Sequence, residues 1–226
     1  MSLLISLARS PSRGAEAVVR DGRLPGTTAL VGIATVISTA HAMRTATEVR
    51  VEDIVFGPER SPVISALLGT IGRDLTSVVV YLIQSAWDAL LVATALSPIL
   101  IWVLGATAIH AAARLSGVRR SFVPIFVLVG QATALTRPVA DLPGLVLGSR
   151  GAGASIGQLF GTAALVWLGV LLWRGICAHY GLTSGRSLTV LLVAIVLFYL
   201  IPLTAIVLAV IAVIVAAIVL EYFPAP

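Results

Sequence analysis

The stretch that decides the fold is residues 188–220, LTVLLVAIVLFYLIPLTAIVLAVIAVIVAAIVL, in which no charged residue occurs. A helix needs about 20 consecutive apolar residues to cross a bilayer, so this stretch is long enough to span one. At about 1.5 Å per residue it would be about 50 Å long, well beyond a hydrocarbon core of about 30 Å. We predict one helix that kinks at Pro202. A hairpin of two short helices is the alternative, although no Gly, Asn or charge marks a turn.

The composition of the whole chain agrees with a membrane location. Apolar residues make up 58% of the 226 residues and charged residues only 11%, and the mean hydropathy is +1.05. Soluble domains carry roughly 25% charged residues, so this chain lacks the surface charge of a water-soluble protein. The sequence therefore predicts an all-α fold, a polytopic membrane helical bundle with about five transmembrane helices.

Apolar segments separated by polar ones set the organisation of the chain. The predicted spans are residues 27–43, 88–115, 122–147, 155–180 and 188–220, within a membrane domain at 25–220. Residues 1–24 form a basic amphipathic segment, which we expect to lie on the cytoplasmic surface of the bilayer until Pro25 and Gly26 break the chain. Residues 221–226 form a short tail.

The segment between the first two spans, residues 44–86, is predicted to lie outside the membrane core. Residues 44–60 are the most charged part of the chain, which indicates a solvated outer loop. In residues 61–86 apolar residues recur at helical spacing, which favours an interfacial helix leading into the second span. A short re-entrant hairpin is the alternative.

Two of the spans are irregular in sequence. The first span is weak, because polar residues such as Thr35, Ser38 and His41 interrupt it, and we expect it to depend on neighbouring helices. In the third span, Pro138 and Pro143 suggest that the regular helix stops near Leu135. The four tryptophans are expected to be interface anchors or packing residues: Trp87, Trp102, Trp167 and Trp173.

Arginine counting predicts the orientation. Cytoplasmic loops are enriched in Lys and Arg, and every basic residue of this chain is arginine. With the N-terminus inside, nine arginines are cytoplasmic: Arg9, Arg13, Arg20, Arg23, Arg114, Arg119, Arg120, Arg174 and Arg186. Six are outside: Arg44, Arg50, Arg60, Arg73, Arg137 and Arg150. We therefore predict a cell-membrane protein with a cytoplasmic N-terminus and, after five spans, a C-terminus outside.

The third span contains a charged pair. Arg137 and Asp141 are four residues apart, so they can pair on one helical face. Charged residues inside membranes are often functional, which makes this pair a candidate for a substrate or ion pathway. Because Pro138 and Pro143 place the pair at the outer boundary of the span, we favour a solvated structural pair.

A second polar group lies near the cytoplasmic end of the second span. Ala106, His110 and Arg114 share one helical face. The guanidinium of Arg114 is expected to reach the lipid headgroups. His110 is a candidate proton site or contact point, and a packed or interfacial histidine is the interpretation that we favour.

Small residues mark a packing face at the start of the fourth span. Gly157, Gly161 and Ala164 lie on one side of the predicted helix, and such residues let helix backbones approach closely. Packing inside the bundle is the interpretation that we favour, and self-association is the alternative.

The sequence G-x-S-x-G at residues 153–157 matches the nucleophile motif of serine hydrolases. That motif needs a strand-to-helix turn and a base within reach, whereas here it begins a membrane helix. We therefore interpret Ser155, with Gln158 three residues later, as a helix-capping box. Three scattered histidines and one cysteine give no metal site. We predict no catalytic residues, no cofactor and no metal.

Two loop motifs resemble those of a known family. The run AIHAAARLSGVRRSF at 108–122 ends an apolar helix in a histidine and a basic turn, and the run HYGLTSGRSL at 179–188 forms a short basic loop. Together with the basic N-terminal segment, these runs resemble the Yip family, the five-span membrane proteins named for interacting with Ypt/Rab GTPases, in its prokaryotic branch. The resemblance covers roughly residues 5–205.

The resemblance implies a compact helical membrane domain with a cytoplasmic N-terminus. In eukaryotic members it also implies vesicle traffic through Rab GTPases. The long acidic and aromatic N-terminal region of those members has no counterpart in residues 1–24, so we expect the fold of the family and not its GTPase contacts.

Three functions follow from these features as hypotheses. The first is a non-enzymatic, membrane-organising or partner-binding protein that acts through helix packing, with the lipid bilayer, another membrane protein or a second copy as its partner. The second is a small transporter or channel subunit that uses Arg137, Asp141 and His110. A hydrolase based on Ser155 ranks last. The arginines flank apolar segments, so we expect no nucleic-acid partner.

Overall fold

The computed structural model describes residues 2–57, 62, 66 and 73–222, and these residues form an all-α fold, as predicted. Two short helices come first, α1 (Ser2–Arg9) and α2 (Pro11–Asp21). The remaining helices are α3 (Leu24–Glu48), α4 (Val51–Phe56), α5 (Arg73–Leu115), α6 (Val123–Leu147), α7 (Gly151–Tyr180) and α8 (Ser184–Tyr222). Helices α3, α5, α6, α7 and α8 are each long and apolar enough to cross a membrane. The predicted number of five spans is confirmed.

Helix α6 is the centre of the bundle. Its residues are buried without interruption from Val127 to Thr133, which is about two turns, so this part of the helix is covered on every side. Helices α3, α5 and α7 pack against it. Because α6 is enclosed by protein from Val127 to Thr133, its polar residues in this part, Gln131 and Thr133, lie where lipid does not reach them.

Helices α3 and α6 run in the same direction. Hydrogen bonds join Thr27 to Gln131, Ser38 to Asp141 and Thr45 to Ser149. The partners are always 103 or 104 residues apart, which is the constant offset of two parallel helices. The expectation that the weak first span depends on its neighbours is confirmed, since its buried Thr27 and Ser38 both bond to α6.

The first span begins earlier than predicted. Helix α3 starts at Leu24, and Pro25 stands in its first turn instead of breaking the chain. A proline is tolerated there because the N–H that it lacks has no partner inside the helix anyway. The break lies before Leu24, where Gly22 and Arg23 have extended backbone.

The second span has no boundary near residue 88. Helix α5 continues without interruption from Arg73 to Leu115, and its part from Ser77 onward is apolar enough to span the membrane. The helix passes through the buried Pro98. Pro98 leaves the carbonyl of Thr94 without its helical partner, and the hydroxyl of Ser97 donates to this carbonyl at 2.7 Å. The predicted interfacial helix, over its described residues 73–86, is therefore the first part of the same continuous helix as the second span.

The last span is a single helix. Helix α8 runs through Pro202 to Tyr222, so the prediction of one helix is confirmed and the hairpin alternative is wrong. Helix α6 likewise continues through Pro138 and Pro143 to Leu147, and the expected stop near Leu135 is wrong. Packing against α3 and α7 holds α6 together beyond its prolines. The re-entrant alternative concerned residues 61–86, of which 61, 63–65 and 67–72 lie outside the described residues. Of the predicted tail at 221–226, residues 223–226 also lie outside them.

The N-terminal segment is part of the bundle. Leu7, Ala15 and Val18 are fully buried, and α2 packs against α6 and α7. A side chain at Gly14 would lie 2.3 Å from the Cα of Leu7, so the glycine lets α1 and α2 cross closely. The expectation that this segment lies on the bilayer surface is wrong for Leu7, although Arg9 and Arg13 are exposed as predicted.

The predicted solvated loop at residues 44–60 is largely helical. Its first residues complete α3, and the next form the short helix α4, whose Val51 and Val55 are buried. These two valines are four residues apart, which gives α4 one apolar face that it packs against α5. Residues 58–60 lie outside the described part of the chain.

Candidate functional site: a polar interface between α3 and α6

The predicted charged pair is present and is buried. The guanidinium of Arg137 donates to both carboxylate oxygens of Asp141, at 2.8 and 3.0 Å. The Asp141 side chain is only 4% exposed and that of Arg137 is 21% exposed. The pairing is therefore confirmed, whereas the expectation of a solvated pair is wrong. Helix α3 covers the pair, which a reading of the third span alone does not reveal.

Helix α3 contributes two further polar side chains, which complete what we call the α3–α6 polar interface: Ser38, His41, Arg137 and Asp141. The hydroxyl of Ser38 is fully buried and donates to Asp141. The imidazole of His41, one turn later, lies against Gly144, because a side chain at Gly144 would be 2.3 Å from its Cε1. Asp141 thus accepts hydrogen bonds from two different helices, and this joins α3 to α6 in mid-span.

A cavity with a mixed polar and apolar lining lies beside this interface. It has a volume of about 310 Å³ and lies between α3, α6 and α7. His41 lines it, together with Thr45, Gln158 and Ser149. Four glycines that leave room for it form much of the rest of its wall: Gly144, Gly148, Gly153 and Gly157.

A second set of polar contacts closes the end of α3. Arg44 donates to Glu48 at 2.5 Å and also to the carbonyl of Leu145 at the end of α6. The other carboxylate oxygen of Glu48 accepts the backbone N–H of Ser149 at 2.5 Å. Glu48 therefore fixes the turn between α6 and α7, which Gly148 makes possible through its positive φ of 91°.

This contact explains why the capping prediction failed. Helix α7 begins at Gly151 rather than at Ser155, and Arg150 precedes it without a side-chain cap. Ser155 is exposed within the helix, four residues after its start. The capping-box interpretation of Ser155 is wrong, because the turn before α7 is fixed by a carboxylate from a distant helix.

The predicted packing face of α7 divides into two parts. Gly157 faces Gly144 of α6, since a side chain at Gly157 would lie 3.8 Å from the Gly144 nitrogen, and Ala164 is buried. Gly161, between them, has no atom within 4 Å of the position of a side chain. Gly157 and Ala164 therefore pack inside the bundle, which is the favoured interpretation, while the position of Gly161 is open.

The predicted polar group of the second span lies at the other end of the bundle. His110 Nδ1 is 3.1 Å from the hydroxyl of the buried Tyr180 of α7, and the ring of Phe122 meets His110 edge-on. Arg114 Nε donates to His110 Nε2 at a long 3.4 Å, and the rest of Arg114 is exposed. This is the packed histidine that the sequence favours, and the structure does not bring it together with Arg137 and Asp141.

Three polar residues of this region were not singled out as site candidates from the sequence: Ser38 and His41 of the interface, and Glu48 at the end of α3. A signal for the first two was present, since Ser38, His41 and Thr45 recur at three- and four-residue spacing on one face of an otherwise apolar span. No local signal points to Glu48, whose role depends on the turn 101 residues away.

Within the described part of the chain, no three His, Cys, Asp or Glu side chains are close enough to hold a metal ion. The chain matches no family model, no curated protein and no solved structure. The resemblance to the Yip family therefore stays a prediction from the loop motifs.

Proposed function

We propose that this protein is a non-enzymatic, Yip-like membrane protein that binds a partner protein within the bilayer through helix packing. The observation that carries the proposal is the open side of α7 around Gly161. A glycine that faces no neighbour within its own bundle gives a second helix room to approach closely.

An apolar groove lies beside this position and extends the surface for such a partner. The groove has a volume of about 410 Å³ and is formed by α6 and α7, with Val139, Pro143, Ile156 and Phe160 among its lining residues. Gly161 follows Phe160 in α7, so it lies at the same level of the helix as the groove, about 100° round the helix from Phe160. Its walls are almost entirely apolar, which suits a helix that crosses the membrane.

Replacing Gly161 with leucine tests the proposal. We expect Gly161→Leu to abolish co-purification of a membrane partner or of a second copy, because the leucine fills the space that the approaching helix needs. The bundle itself is expected to stay intact, since a side chain at Gly161 meets no atom within 4 Å. Affinity purification in detergent followed by native mass spectrometry measures the association.

Gly169→Leu is the matched control. Gly169 is in the same helix and also has open space around it, but it lines a different cavity, between α5, α7 and α8. We expect this variant to keep the association. The proposal fails if both variants associate like the wild type, or if both lose association equally.

The proposed location is the cell membrane, with the N-terminus in the cytoplasm and the C-terminus outside. The distribution of arginines supports this orientation. Exposed arginines concentrate in the segment before α3, in the loop that follows α5 and in the first turn of α8: Arg9, Arg13, Arg20, Arg23, Arg119, Arg120 and Arg186. These segments lie at one end of the bundle, since His179, at the end of α7, bonds to the Ser121 carbonyl, and Gly22 lies against Val127 near the start of α6.

A small transporter or channel subunit is the second candidate function. The buried ion pair of Arg137 and Asp141 favours it, because charges within a membrane bundle are costly and commonly mark solute or ion pathways. The neighbouring cavity supplies part of the space that such a pathway needs.

Flux into proteoliposomes tests this candidate. We expect purified protein in liposomes to accelerate the entry of protons or of small uncharged solutes, read with a pH-sensitive dye and by light scattering. Ser38→Leu is expected to abolish this flux by placing an apolar side chain next to Asp141. Rates equal to those of protein-free liposomes would remove the candidate.

A further inference from the structure

The α3–α6 polar interface contains buried polar atoms that lack partners. Among the described residues, no group bonds to His41 Nδ1, to Arg137 Nε or to the side-chain oxygen of Gln131, which lies farther down α6. A buried polar atom without a hydrogen bond costs roughly 1–3 kcal/mol. These three atoms, together with the Thr133 hydroxyl of α6, which is likewise buried without a partner, call for a ligand that satisfies them.

The chemistry of the three atoms selects the ligand. The Nε–H of Arg137 can only donate, whereas the Gln131 oxygen can only accept. An anion would suit the first atom and a cation the second. An uncharged molecule that both donates and accepts suits both, and it also suits either tautomer of His41. Water is the smallest such molecule, and buried water commonly bridges polar groups in this way.

The cavity beside His41 provides the route by which water enters. Thr45 and Ser149 line the end of the cavity nearest the end of α3, which we call its mouth, and His41 and Gly144 line its inner end. His41 is three residues beyond Ser38, and Gly144 is three residues beyond Asp141. At about 1.5 Å per residue, the inner end of the cavity is about 4.5 Å from the level of the Ser38–Asp141 hydrogen bond.

We propose that this cavity is a water-filled vestibule that connects the buried Arg137–Asp141 ion pair to the aqueous phase on the side where α3 ends. Water in the vestibule hydrogen-bonds to His41 Nδ1, and further water molecules extend from there to Arg137 Nε. The residues that line the mouth are neutral: the hydroxyls of Thr45 and Ser149 bond to each other there, while Arg44 and Glu48 pair with each other outside the lining. The vestibule does not depend on partner binding, and it supplies the aqueous access that the transport candidate requires.

Cysteine labelling tests whether water reaches the ion pair. Water-soluble thiosulfonates react with the thiolate, which forms only where water solvates it. In a Cys177→Ala background, we expect Ser38→Cys to be labelled from the side where α3 ends. Val36→Cys is the matched control, since Val36 is two residues away on the same helix but is 69% exposed on the outer surface of the bundle, where lipid covers it. Labelling at position 38 should be at least about tenfold faster.

The opposite pattern overturns the proposal. If Ser38→Cys reacts as slowly as Val36→Cys while Thr45→Cys at the mouth reacts rapidly, the vestibule holds no water at its inner end. Slow reaction at Thr45→Cys as well would mean that the mouth is closed, which also refutes it. Should Ser38→Cys fail to give a monodisperse protein, His41→Cys provides the same comparison. Labelling without flux in liposomes would leave the vestibule standing and remove only the transport candidate.

Discussion

Asp141→Leu is expected to lower the free energy of unfolding by roughly 3–5 kcal/mol, the usual cost of removing one partner of a buried ion pair. The substitution leaves the largely buried guanidinium of Arg137 without its carboxylate. It also removes the acceptor of the Ser38 hydroxyl, so the contact that joins α3 to α6 in mid-span is lost. Thermal and denaturant unfolding of the detergent-purified protein measure the change.

Two controls separate the charge from the packing. Adding Arg137→Leu to Asp141→Leu should restore much of the stability, because an apolar pair often replaces a buried ion pair at little cost. Asp21→Leu should change stability little, since Asp21 pairs with Arg20 at the surface, where both side chains are more than half exposed. If the double variant is as unstable as the sum of the two single variants, the two side chains do not act as a pair.

The spans could be predicted because their signal is local. A run such as residues 188–220 is apolar over more than the thickness of a bilayer, whatever lies beside it, so the number of spans followed from composition and length. The sequence prediction overestimated the effect of the prolines, because it treats each helix without its neighbours. Pro138 and Pro143 remove hydrogen bonds from an isolated helix, but α6 is packed on several sides, and the helix continues through both.

Boundaries and the candidate site depend on contacts that are distant in sequence. The start of α7 follows a turn that Glu48 fixes from another helix, so the apparent cap at Ser155 was misleading. The pairing of Arg137 with Asp141 was predictable from a four-residue spacing. The burial of this pair could not be predicted, because it depends on α3 lying parallel to α6 in the register that brings Ser38 to Asp141.

Trp102→Ala is the other substitution with a large expected effect, again roughly 3–5 kcal/mol of lost stability. Trp102 is 8% exposed, and its ring stacks on Phe126 of α6 with the centroids 4.6 Å apart. Its indole N–H donates to the Phe126 carbonyl at 2.8 Å. Removing the ring leaves a void at the crossing of α5 and α6, where lipid chains cannot enter to fill it. Chemical denaturation followed by the remaining tryptophan fluorescence measures the loss.

Trp167→Ala is the matched control for this prediction. Trp167 is 37% exposed on α7, so lipid can occupy the space that its ring leaves, and we expect a much smaller loss of stability. Trp102→Phe keeps a ring against Phe126 but removes the N–H donor, which should cost about 1 kcal/mol. Equal losses for Trp102→Ala and Trp167→Ala would show that tryptophans in this chain stabilise it as membrane anchors. A larger loss at Trp102 instead identifies the α5–α6 crossing as the packing centre on which the bundle depends.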